Sequence, residues 1–151
     1  MDNRHLLQDL KIELKQQQFR PVYRVREDRR PAPGGVGQIR DLGTIVGRDN
    51  LSQAVIMRLL TPRGELTALG HPEYGSRLHV LIGQVNTDTI RNLVKLHILE
   101  SLKREPRIAK STVEVTLSPG RRSSVDVRLQ VTPIGSTDVV TIGPLTLELG
   151  P

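Results

Sequence analysis

The apolar pattern of this chain changes period at Pro106. Before it, Ile90, Leu93, Val94, His97 and Leu102 recur at helical spacing, widened by Leu96 and Leu99. After Arg107 the apolar residues alternate with polar ones: Val113, Val115 and Leu117, then Val125, Val127, Leu129 and Val131, then Leu145, Leu147 and Leu149. A period near 3.6 buries one face of a helix, and a period of two buries one face of a strand. Pro106 disfavours helical geometry at Glu105, so the stop is chemical. A long helix opened by Thr87 or Asp88 and running to Arg104 is therefore expected to feed directly into strands. The turn Ser118–Ser123 makes a hairpin of the first two strands, and Pro133-Ile134-Gly135 separates them from the last.

Upstream, residues 38–47 read as a strand. Asn50 is placed to cap a helix to Leu60, with Leu51, Ala54, Val55, Met57 and Leu59 as its apolar face. Pro62 and Gly64 stop it. Residues 61–76 form a long loop, and a short helix at Arg77–Ile82 ends at Gly83. Strand, helices, then strands is the order of an α+β domain, with a small, mostly antiparallel sheet and helices packed on one face.

The first 37 residues read differently. Leu6, Leu7, Leu10 and Leu14 predict an amphipathic helix over 2–18, with Ile12 to one side. Val22, Tyr23 and Val25 mark a short extended piece, and Arg29 to Gly37 holds two Pro and three Gly, as a linker or arm does. The expected division is an N-terminal helical arm, 1–37, and an α+β domain, 38–151. A lone amphipathic helix must cover its stripe with a partner or by folding back.

Composition removes several function classes. With no Trp, one Phe and two Tyr, the core must be aliphatic. There is no Cys, so neither a disulfide nor a thiol nucleophile is available. The N-terminus lacks the apolar run of a signal peptide, and no stretch approaches the roughly 20 apolar residues of a membrane span. No membrane partner is expected. The net charge of +6 invites a nucleic-acid reading, yet the basic residues are spread along the chain, and the densest cluster, Arg20–Arg30, includes Glu27 and Asp28. A solvated or protein-contacting basic surface fits better, and no nucleic-acid partner is expected.

Catalytic patterns are equally sparse. His5, His71, His79 and His97 show no metal-ligand spacing. No Gly-x-Ser-x-Gly elbow occurs, and Gly34-Gly35-Val36-Gly37 lacks the Lys-Ser/Thr of a phosphate loop. Glu65 and Glu73, or Glu100 and Glu105, are the carboxylates nearest to a glycosidase pair, but the aromatic platforms of a sugar site are missing. The expectation is no enzyme, no cofactor and no metal.

One block is distinctive. It reads Asn50 to Leu66 with Arg58-Leu59-Leu60-Thr61-Pro62-Arg63-Gly64-Glu65 at its end, then Pro72-Glu73-Tyr74-Gly75-Ser76-Arg77-Leu78, then Glu100 to Ile108 with Glu105-Pro106-Arg107. Over residues 38–150 it resembles the baseplate-wedge, sheath-initiator family of contractile phage tails. Extracellular contractile injection systems and type VI secretion baseplates use related subunits. The type VI members differ in the first helix and loop, so the chain is similar to the phage and extracellular branch. The N-terminal arm lies outside the family core. The family has also been labelled a tail lysozyme, a label the residue inventory does not support.

The resemblance implies a structural protein of the virion tail baseplate, assembled in the bacterial cytoplasm in six copies. Its partners would be the tail sheath protein and baseplate wedge proteins, with the tail tube a further candidate for the arm. Glu105, Pro106 and Arg107 would be the wedge contact; an internal salt bridge fixing the corner is the alternative. Leu145, Leu147 and Leu149 would mark an edge strand shared with the first sheath ring; an ordinary internal strand is the alternative. The rival functions are a basic nucleic-acid-binding module and a peptidoglycan hydrolase.

Overall fold

The computed structural model describes residues 8–17, 20–109, 114–119 and 123–150. It contains nine strands and two α-helices among these residues, an α+β composition. The chain divides into two compact units, one drawn from the residues up to Gln53 and the other from Ala54 onwards. The boundary lies inside a helix rather than at 37/38.

The described part of the first unit is a junction of three strand pairs, two of them hairpins, rather than a helical arm. Strand β1 (Gln8–Leu10) pairs with β6 (Thr44–Val46), β2 (Ile12–Gln17) with β3 (Arg20–Val25), and β4 (Glu27–Pro31) with β5 (Gln38–Leu42), all antiparallel. The residues between these strands close a ring of backbone bonds. Lys11 N–H donates to Gly43 O (2.7 Å), Arg26 N–H to Lys11 O (2.9 Å), and Gly43 N–H to Arg26 O (2.6 Å). The backbone N–H and C=O of all three residues thereby find partners. A Cβ at position 43 would lie 3.0 Å from Arg26 O and 3.0 Å from Asp28 Oδ2, so glycine suits the centre. The Gln53 amide braces the junction: it accepts from Ile12 N–H (2.8 Å) and donates to Leu10 O (2.9 Å).

Two expectations are corrected in this unit. Residues 8–10 and 12–17 are strands, not helix. Leucines four apart satisfy a period of two as well as 3.6, and Leu10, Ile12 and Leu14 alternate with charged neighbours. Ile12, set aside by the helical reading, belongs to the strand pattern. The part of the predicted helix at residues 1–7 lies outside the described residues. The Pro/Gly segment is the end of β4 and the tip of the β4–β5 hairpin, not a linker. The expected strand over 38–47 is divided at Gly43 into β5 and β6.

Helix α1 (Gly47–Leu60) begins three residues before the expected cap, so Asn50 lies inside it and is buried. Within the second unit, helix α2 (Asp88–Leu102) is capped by Thr87, whose Oγ1 accepts from Ile90 N–H (3.3 Å). Its buried face is Val94, Ile98, Ser101 and Leu102, while Leu96 is exposed. Helix α2 lies against β7 (Glu114–Pro119) and against the short 3-10 turn Leu78–Leu81.

The sheet of this unit has the order β7-β8-β9, with β8 (Ser124–Val131) between β7 and β9 (Val140–Glu148). Both pairings are antiparallel, as the alternation predicts. Val113 and residues 120–122 of the expected hairpin lie outside the described residues. The core is aliphatic: Val55, Leu59, Leu78, Leu81, Val94, Ile98, Leu102, Ile108, Val125, Val127, Leu129, Val131, Val140, Ile142 and Leu149 are buried. Valine, isoleucine and leucine from helices and strands alike fill it without an aromatic ring.

Candidate interaction site: the helix–sheet corner and the sheet edge

Helix α2 ends at Leu102, and the chain turns through Glu105-Pro106-Arg107 towards the sheet. Glu105 N–H donates to Leu102 O (3.0 Å), and Ile108 N–H to Glu105 O (3.3 Å). Beyond the turn, Ile134 N–H donates to Arg107 O and Ala109 N–H to Thr132 O, both at 2.9 Å. The corner is thus bonded on both sides.

The Glu105 carboxylate points inward. The residue is 3% exposed and both of its oxygens are engaged. Arg58 Nε donates to Oε2 at 3.2 Å, and its terminal nitrogen lies at 3.2 Å from the same oxygen. Arg107 Nε donates to Oε1 at 2.7 Å. Burial of a carboxylate is tolerable because two guanidinium groups face it. The terminal nitrogens of Arg107 have no further partner among the described residues, and its side chain is 22% exposed. Pro106 is exposed. The motif therefore offers Pro106 and the outer end of Arg107 to solvent, while Glu105 ties the corner to α1.

The Pro72–Ser76 loop completes the site. The Arg58 guanidinium lies 4.5 Å from the centre of the Tyr74 ring, within cation–π range. Burial pushes the Tyr74 hydroxyl above its ordinary value, and Arg58 pulls the other way. Ser76 clasps the end of α1: its N–H donates to Thr61 O (2.9 Å), its Oγ donates to Leu59 O, and its carbonyl accepts from Arg63 N–H (2.8 Å). Ser101 Oγ donates to Gly75 O (2.9 Å), tying the loop to α2. Gly75 has φ +101°, and a Cβ there would come within 2.4 Å of Thr61 O. Only glycine lets the two backbones approach so closely.

Two further carboxylates here are also paired, whereas Glu65 is exposed. Arg63 bonds Glu100 at 2.7 Å, and Arg104 bonds Glu73. The hydrogen bond from Arg63 holds the Glu100 carboxyl below its ordinary value. His97 Nδ1 lies 3.8 Å from Glu100. A general acid needs a carboxyl held protonated near neutral pH, which is the opposite direction. Among the described residues, no group of three His, Cys, Asp or Glu side chains could hold a metal ion. No helix among the described residues is long and apolar enough to cross a membrane.

The sequence reading singled out Glu105 and Arg107 but missed Arg58 as the partner of Glu105, Arg63 as that of Glu100, and Tyr74 beneath Arg58. The two ion pairs cross 47 and 37 residues, and nothing local announces them.

The second candidate feature is β9. Among the described residues it pairs with β8 alone and forms one edge of the sheet. Leu145 and Leu147 are half-buried and stand opposite Val127 and Val125. Leu149 is buried just beyond the strand, its N–H donating to Ser123 O (2.6 Å). The register shifts between Val127 and Leu129, opposite Gly143-Pro144. A bulge is where a strand tolerates proline, and an edge strand is where the ladder can spare the N–H. The three leucines thus lie on the side of buried Val125 and Val127, Thr141 and Thr146 are exposed, and the far backbone edge of β9 has no strand partner among the described residues.

No family model matches the sequence, and no curated protein matches it. The fold is shared with a solved structure, a candidate tail lysozyme from Geobacter sulfurreducens. The TM-score is 0.56 at 20% sequence identity, over 68% of this chain and 91% of that chain.

Proposed function

We propose that this chain is a structural component of a contractile-tail baseplate, which docks on the wedge and starts sheath polymerisation by sharing strand β9 with the first sheath ring. The observation that carries the reading is the edge of β9, unpaired among the described residues, with its leucines on the side of Val125 and Val127 and its register to β8 defined. Support comes from the Arg-Leu-Leu-Thr-Pro, Pro-Glu-Tyr-Gly-Ser and Glu-Pro-Arg motifs, which meet at one corner, and from a fold shared with a candidate tail protein.

On this reading the corner is the wedge side. Glu105 sets its angle from within, and Pro106 with the outer nitrogens of Arg107 makes the contact. The sheet edge is the sheath side. Six copies in the virion baseplate, assembled in the bacterial cytoplasm, complete the arrangement, which is a cyclic, repeated interface. This reading assigns no catalytic role, and the pairing of Glu73, Glu100 and Glu105 with arginines supports it. The test is reconstitution with wedge and sheath proteins. Arg107→Ala should weaken wedge binding and leave sheath nucleation intact; equal loss of both would contradict the division of faces.

A further inference from the structure

The β4–β5 hairpin carries a charge arrangement that its own fold does not use. In the antiparallel register Arg29 stands directly opposite Arg40, and Asp28 directly opposite Asp41. Directly opposed residues share a face, so the two arginines stand side by side. Like charges at such positions destabilise a pair of strands. A two-stranded ribbon is marginal even without that cost.

The available compensation is weak. Arg40 lies 3.9 Å from Glu27 on the diagonal, and both side chains are more than half exposed. Arg29 has no ion pair among the described residues, whereas Arg30 on the other face reaches Asp41 at 3.5 Å. The face bearing Arg29 and Arg40 also carries Leu42, 48% exposed, two residues from Arg40. The junction ring at Lys11, Arg26 and Gly43 fixes where this ribbon branches from its own unit.

We infer that the Arg29/Arg40 face of the β4–β5 hairpin is a docking surface for an acidic segment of a partner protein, one carboxylate seating between the two guanidinium groups. A carboxylate accepts from two forked donors, so it turns the repulsion of the pair into attraction. Leu42 adds an apolar contact beside it. The choice of a protein over a polyphosphate follows from the hairpin itself. Glu27, on the same face, would lie against a continuous phosphate backbone, and the hairpin has no aromatic residue on which a base could stack. This surface belongs to the first unit and does not depend on the tail reading.

The test uses the full chain and three probes: a short peptide of alternating Glu and Val, its Lys/Val counterpart, and a DNA duplex. Binding is followed by fluorescence anisotropy at low and at physiological salt. The acidic peptide should bind, more weakly as salt rises, and Arg29→Glu or Arg40→Glu should each reduce its affinity about tenfold or more. Because either substitution also replaces a like-charge pair by an opposite one, neither should lower the thermal midpoint. That separates a lost surface from a lost fold. Absent binding of the acidic peptide, equal binding of the basic one, unchanged affinity in both variants, or tighter binding of DNA would each overturn the proposal.

Discussion

Arg58 and Glu105 stand 47 residues apart in sequence, and their side chains meet at 3.2 Å in the interior. The two groups are almost fully enclosed, with side-chain exposures of 10% and 4%. Loss of Glu105 strands Arg58 away from water, and loss of Arg58 leaves the buried Glu105 carboxylate with Arg107 alone. Arg58→Ala and Glu105→Ala should each lower the unfolding free energy by about 3–5 kcal/mol. The double variant should cost far less than the sum, because neither charge is left alone. Urea unfolding of the four proteins measures the coupling, and additive losses would show that the pair does not act as a unit.

The Pro72–Ser76 loop should depend on the missing side chain of Gly75. Gly70 serves as the comparison, since it also has positive φ but nothing within 4 Å of a built Cβ. Gly70→Ala should cost about 1 kcal/mol, the conformational penalty alone. Gly75→Ala adds a backbone collision and should cost at least about 2–3 kcal/mol more, as groups around Thr61 and Pro62 move apart. Thermal unfolding compares them, and equal losses would mean that the loop gives way freely.

Acid should loosen the same corner through Glu100. Its carboxyl is held below the ordinary value of 4.5, first by the Arg63 hydrogen bond. The folded protein therefore binds this proton less readily than the unfolded chain. The stabilisation is present above pH 4.5 and is lost as pH falls through the lower folded value. Glu100→Gln should flatten that part of the stability–pH curve and approach wild type at the acid end. A third of the Glu100 side chain is exposed, so the effect is modest and weakens with salt. An unchanged slope would assign the acid sensitivity to other carboxylates.

These contacts show how far the sequence could be read. The change of period at Pro106, the Thr87 cap and the alternation of Val125 to Val131 are local signals, and they placed α2 and β8 well. The stripe of α2 was less legible. Ile98 and Ser101 are buried where Leu96 is not, because neighbours from the Pro72–Ser76 loop and the sheet decide which side is covered. The first unit failed for a different reason. Spacings of four residues fit helix and strand alike, and the pairing of β1 with β6 spans more than thirty positions. At the corner, the sequence supplied Glu105 and Arg107 but left an outward contact and an internal bridge both open. The buried carboxylate adds the internal bridge, through Arg58, which no spacing rule would reveal.

The edge of β9 can be tested one backbone group at a time. Successive residues of a strand point their N–H groups to opposite sides, so of Thr146 and Leu147 one faces β8 and the other faces the open edge. Thr146→Pro and Leu147→Pro should therefore differ. The variant that loses a bond to β8 should unfold at a clearly lower temperature. The other should keep its stability, since proline is tolerated where no ladder bond is lost.

That second variant provides the most direct measurement of the tail reading. The purified wild-type chain is mixed with a contractile-tail sheath protein from the same genome, and ring or tube formation is followed by electron microscopy. The account predicts that sheath grows from the wild-type chain and fails to start from the stable proline variant. Growth that is indifferent to the variant, or no growth from the wild type, would contradict it.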